Sequence, residues 1–133
     1  YNNKNEIEYI TIASEGNATD FGDLTLGREK LGALSSTTRS VFTGGFRSAP
    51  ENYLDYVTIA STGNATDFGD LSAVAKEGSA VSNKTLALYH LDADKTRLDK
   101  FTIASTGNAT DWGDISKISI REFSGSNSHG GIA

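Results

Sequence analysis

Six carboxylates at one repeated spacing are the residues best placed to do chemistry. They are the pairs Asp20/Asp23, Asp67/Asp70 and Asp111/Asp114, each split by an aromatic and a glycine. Paired carboxylates are hard oxygen ligands and could bind calcium. A close pair could also divide acid and base roles. The structural reading is that the first Asp caps a turn while the aromatic packs between neighbouring units, with Gly giving it room. A catalytic site is asymmetric, whereas this step is copied three times, and copying is what packing requires. The expectation is therefore no catalytic, cofactor-binding or metal-ligating residue, with calcium at the Asp pairs as the alternative.

Other candidates are weaker. His90 and His129 occupy unlike positions and have no third ligand type beside them. No Ser lies in a nucleophile-elbow context. Gly44-Gly45 and Gly130-Gly131 precede no helix start or P-loop lysine, so they are not phosphate cradles. Asn17, Asn64, Asn83 and Asn108 each open an Asn-X-Thr sequon. Turn chemistry explains them equally well, with Asn in the left-handed region and Thr bonding locally. Arg28, Lys30, Arg39 and Arg47 gather in the first unit. They could form a positive face for an acidic partner or anionic glycan, or be scattered solvated charges.

The elements that position these residues are themselves repeated. The block Thr11–Asp23 returns at Thr58–Asp70 and Thr102–Asp114, at offsets of 47 and 44 residues. Only Glu15 against Thr62 and Thr106, and Phe21 and Phe68 against Trp112, differ. Such self-similarity means one supersecondary unit used three times. Ile7, Tyr9, Thr11 and Ala13 alternate with Glu8, Ile10, Ile12 and Ser14, which predicts a strand. Gly16-Asn17 predicts a turn, and Phe21–Leu24 a second extended piece. Strands are also expected at Lys30–Leu34 and Arg39–Thr43, and at Ser79–Val81 and Leu86–Tyr89. The third unit continues through Arg121–Gly125 and His129–Ala133. Leu26–Leu34 has some helical spacing, but Gly27 and Gly32 interrupt it.

The chain is thus expected to be all-β and to form a single repeat domain or a fragment of one over 1–133. The repeats run 7–53, 54–97 and 98–133, the last cut short. The absence of Met suggests an internal or processed start. A net charge of −5 argues against coating nucleic acid or sitting on an anionic membrane. No apolar run reaches the ~20 residues that span a bilayer, and the absence of Cys excludes disulfides and thiol chemistry. The near-constant blocks read as scaffold. The divergent loops Phe46–Tyr53 and Leu91–Arg97 read as places where contacts could be tuned.

Two resemblances follow from these motifs. About four strands per 44–47 residues, closed by Gly44-Gly45, resembles the kelch type of β-propeller blade, whose period is ~50. Tyr56–Ile59 matches the following strand, Phe68 with Leu71 the aromatic element, and Arg28 the basic residue opening a blade. The second unit departs from it with Leu88-Tyr89-His90 and Ala75. Three units cannot close a ring of about 4–8 blades, so a larger chain or associated copies is implied. A β-trefoil or β-prism with pseudo-threefold symmetry is the alternative. The blocks also look like tandem repeats in structural proteins of tailed bacteriophages of marine and cyanobacterial hosts. That likeness implies a non-enzymatic virion component, such as a tail fibre or capsid appendage. Its partners would be other virion proteins, copies of itself and a host-surface glycan. A stand-alone carbohydrate-binding module is the alternative function.

Overall fold

The computed structural model describes residues 4–91 and 96–116. Within them the chain is all-β, with ten strands in three antiparallel sheets of two, four and four strands. The two-stranded sheet pairs β1 (Glu6–Tyr9) with β2 (Thr19–Asp23). The next is a meander of β3 (Gly32–Ser35), β4 (Arg39–Thr43), β5 (Glu51–Thr58) and β6 (Thr66–Ala75). The last repeats that order with β7 (Ala80–Ser82), β8 (Leu86–His90), β9 (Arg97–Thr102) and β10 (Thr110–Asp114). Leu26–Leu34 holds no helix, in line with its glycines. The strands expected over Arg121–Gly125 and His129–Ala133 lie outside the described residues, as does His129.

The sheets are out of phase with the repeat counted from block to block. Each block forms the loop joining the last two strands of a sheet and the start of the last strand. A repeat drawn as 7–53 therefore starts in one sheet and ends in the next.

The alternating run Ile7–Ser14 is only partly a strand. β1 stops at Tyr9, and the chain turns at Thr11–Ser14, where the Ser14 N–H donates to the Thr11 carbonyl at 3.3 Å. The same turn follows β5 and β9. In the two later copies the isoleucine ties the loop to the β3–β4 or β7–β8 hairpin instead: the Ile59 N–H donates to the Thr38 carbonyl and that of Ile103 to Thr85, both at 2.9 Å.

The two four-stranded sheets share one core. Leu34, Val41, Leu54, Phe68 and Leu71 come from the first, and Ala87, Tyr89, Leu91, Phe101 and Ile103 from the second side. At their edge strands β3 and β7 the Ser82 hydroxyl donates to the Ser35 carbonyl at 2.8 Å.

Candidate functional site

The repeated block is a clamp between successive sheets. In all three copies the Asp-aromatic-Gly step makes a β-bulge. Glu8 faces Asp20 while Ile7 faces Gly22, so Phe21 is the extra residue. Phe68 and Trp112 occupy the same place in their sheets. A bulge bends the strand and re-aims a side chain. It turns Phe68 into the gap between the sheets, where the ring is 2% exposed and meets Phe101 edge-on at 5.3 Å. Tyr56, beside it on the same sheet, makes a second edge contact at 5.9 Å.

In the second and third copies the first Asp of the step shapes this bulge. The Asp67 carboxylate accepts from the Gly69 N–H and that of Asp111 from the Gly113 N–H, both at 3.0 Å. Arg97 also reaches the Asp111 carboxylate at 3.5 Å, and the Thr96 hydroxyl donates to Asp114 at 3.0 Å. Among the described residues no three His, Cys, Asp or Glu side chains gather as metal ligands.

The second half of the clamp is the loop Gly-Asn-Ala of the following sheet. The Gly107 N–H donates to the Phe68 carbonyl at 2.7 Å, and the Ala109 N–H to the Asp70 carbonyl at 2.8 Å. The Asn108 side-chain oxygen accepts from the Asp70 N–H at 3.1 Å. One sheet earlier the set recurs: Gly63 to Phe21 and Ala65 to Asp23, both at 2.7 Å, with Asn64 accepting from the Asp23 N–H at 3.0 Å. Both strands come close enough to exclude any side chain. A Cβ on Gly69 would lie 2.6 Å from the Gly107 backbone, and one on Gly22 would lie 2.3 Å from the Gly63 carbonyl oxygen.

These contacts correct the reading of the sequon asparagines. The only non-glycine residues with positive φ among those described are Lys30 and Glu77, so Asn17, Asn64 and Asn108 are not left-handed. Two of them cross to another sheet instead. Asn83 alone serves a local turn, accepting from the Thr85 and Leu86 N–H groups at 2.8 Å. The exact copying of Gly-Asn-Ala was the available signal, since a turn by itself tolerates variation.

A second link is charged. Arg28 and Asp55 form a buried pair at 2.7 Å, both side chains at most 1% exposed. The Arg28 Nε–H donates to the Gly44 carbonyl at 2.7 Å, and the Thr25 hydroxyl to Asp55 at 2.6 Å. Gly44 and Gly45 take φ of 58° and 116°, and a Cβ on Gly45 would crowd the Arg28 side chain at 3.1 Å. One repeat on, Ala75 at the end of β6 and Leu91 just after β8 stand at the corresponding places, 47 residues on, and both are fully buried. There Asp99 accepts from the Ser72 N–H and hydroxyl at 2.7 and 2.6 Å, with Arg97 at 3.9 Å.

Of the four basic residues gathered in the first unit, three are drawn into contacts within the chain, and Arg47 is exposed. Arg28 is buried, Lys30 pairs with Glu77 at 2.7 Å, and Arg39 stacks on Tyr56 at 4.4 Å. His90 is buried within β8. Of the loops singled out for tunable contacts, the first is shortened because β5 begins at Glu51, while positions 92–95 of the second lie outside the described residues. No protein-family model and no curated protein matches the chain.

Proposed function

We propose that the chain is a non-enzymatic structural component of a tailed-phage virion, built as an array of blade-like sheets. One observation carries this reading: the thirteen-residue block, the most invariant part of the sequence, is spent on joining sheet to sheet. Its carboxylates shape bulges, its asparagines bridge sheets and its glycines permit close backbone approach. A block of that kind suits serial extension. Arg28 and Gly44-Gly45, the two features behind the kelch-like resemblance, meet in the buried Arg28–Asp55–Gly44 link. The resemblance to phage repeats supplies the virion setting, with other virion proteins as partners.

Mass spectrometry of gradient-purified particles of the source phage tests this. The tryptic peptide beginning at Phe101 should copurify with the particles through a high-salt wash. Its absence from intact particles would reject the reading.

The rival, a carbohydrate-binding module, is favoured by an open hollow of about 250 Å³ on the third block. Lys100, Ser105, Thr106 and Asn108 line it. Tyr9 and Tyr56 stand where Lys100 does in the other copies, so its chemistry is not repeated. A glycan array separates the two: saturable binding that Lys100→Ala abolishes would favour the sugar binder.

A further inference from the structure

Two halves of the clamp stand unused among the described residues. At the leading side are Gly16, Asn17 and Ala18, the counterparts of Gly107, Asn108 and Ala109. They have no clamp partner among the described residues, and Ala18 is exposed where Ala109 is buried. Ile10 is 63% exposed, whereas its counterparts Val57 and Phe101 are buried, and Ile12 is 95% exposed against 45% at Ile59 and 0% at Ile103. At the trailing side Trp112 is 56% exposed where Phe68 is buried. Gly113, at φ 140°, has nothing within 4 Å of a Cβ, whereas its counterparts Gly22 and Gly69 are pressed against a neighbouring loop.

We infer that these two surfaces bind each other between copies of this chain. The Gly16-Asn17-Ala18 loop of a second copy would dock on Trp112-Gly113-Asp114. The contact continues an interface the chain already makes twice, with the same donors, acceptors and ring position. The Gly16 and Ala18 N–H groups meet the Trp112 and Asp114 carbonyls, Asn17 accepts from the Asp114 N–H, and the indole covers Ile10. Such a head-to-tail contact is heterologous, so it generates either a closed ring or an open filament. The inference rests on the sheet-array reading above and specifies how that array is extended.

Trp112 is the sole tryptophan and reports docking directly. Sedimentation and tryptophan emission are followed from about 1 to about 100 μM protein, the range in which modest interfaces declare themselves. The wild-type chain should self-associate with a blue shift and loss of acrylamide quenching. Asn17→Ala combined with Ala18→Pro blocks the leading surface, and Trp112→Glu the trailing one. Each variant alone should remain monomeric with unchanged β-sheet circular dichroism, and Trp112→Glu avoids the backbone strain of any substitution at Gly113. Mixed, the two variants should form a 1:1 dimer, since each keeps one intact surface.

A wild-type chain monomeric throughout, blocked variants that associate as well as wild type, or a mixture that does not pair would each overturn the inference. If the inference fails in this way while the peptide is present in particles, the virion assignment survives. Successful pairing with the peptide absent from particles would uphold the head-to-tail contact and reject the virion assignment.

Discussion

Arg28 shows how a single buried charge is made tolerable. Removing a guanidinium from water is costly unless it is paired and its donors are satisfied. Asp55 supplies the charge and the Gly44 carbonyl an acceptor. The diglycine matters because a side chain on Gly45 would occupy the arginine's path. Arg28→Ala should therefore cost about 3–5 kcal/mol in urea unfolding, because it strands Asp55 without its counter-charge. Arg28→Ala with Asp55→Leu should recover much of that loss. Asn108→Ala removes one clamp acceptor and should cost about 1 kcal/mol, while Asn17→Ala should be near neutral at dilute concentration. Arg28 and the diglycine were each visible in the sequence as kelch-like features, though not their contact. The meeting of Arg28 with Asp55 was not visible either, because 27 residues separate them and no local pattern links the two.

The strands were legible where β-branched and aromatic residues sat between turn formers. β4 coincides with the expected Arg39–Thr43, and β3 and β7 begin within two residues of expectation. The failure at Thr11–Ser14 has a physical cause. Thr-Ile-Ala-Ser looks like strand because its isoleucine is built for burial, but burial comes from the neighbouring sheet rather than from ladder pairing. Ile103 is buried against a four-stranded sheet, Ile59 beside the two-stranded one is half-exposed, and Ile12 is bare, although their local sequences match. Hydrogen exchange tests this dependence on the neighbour. The Gly63, Ala65, Gly107 and Ala109 amides should exchange slowly, because each donates across a clamp. The Gly16 and Ala18 amides should exchange freely at low concentration. Equal protection in all three blocks would mean the loop is ordered by its own sequence.

At the scale of the molecule, stability should be modular, because in a serial array each unit leans chiefly on its neighbours. Among the described residues the β1–β2 sheet has two strands, and an isolated hairpin is marginal in water. Its anchors are the clamp to Gly63 and Ala65, the Leu24 N–H donated to the Asn5 carbonyl, and the Arg28 N–H donated to that of Lys4. Placing a Cβ at Gly22 would drive the clamp apart, since its contact is backbone and cannot yield. Gly22→Ala should thus release residues 6–23 alone. Their amides should lose protection and protease should cut within 24–27, while the rest keeps its unfolding free energy within about 0.5 kcal/mol. Gly69→Ala strikes the clamp between the two large sheets, which also share a core. There the strain at φ 139° and the collision with Gly107 should lower global stability by about 2–4 kcal/mol. The two variants make the same chemical change at corresponding places in the repeat. A local loss in one and a global loss in the other would follow from position in the array, whereas identical behaviour would mean the sheets fold as one indivisible unit.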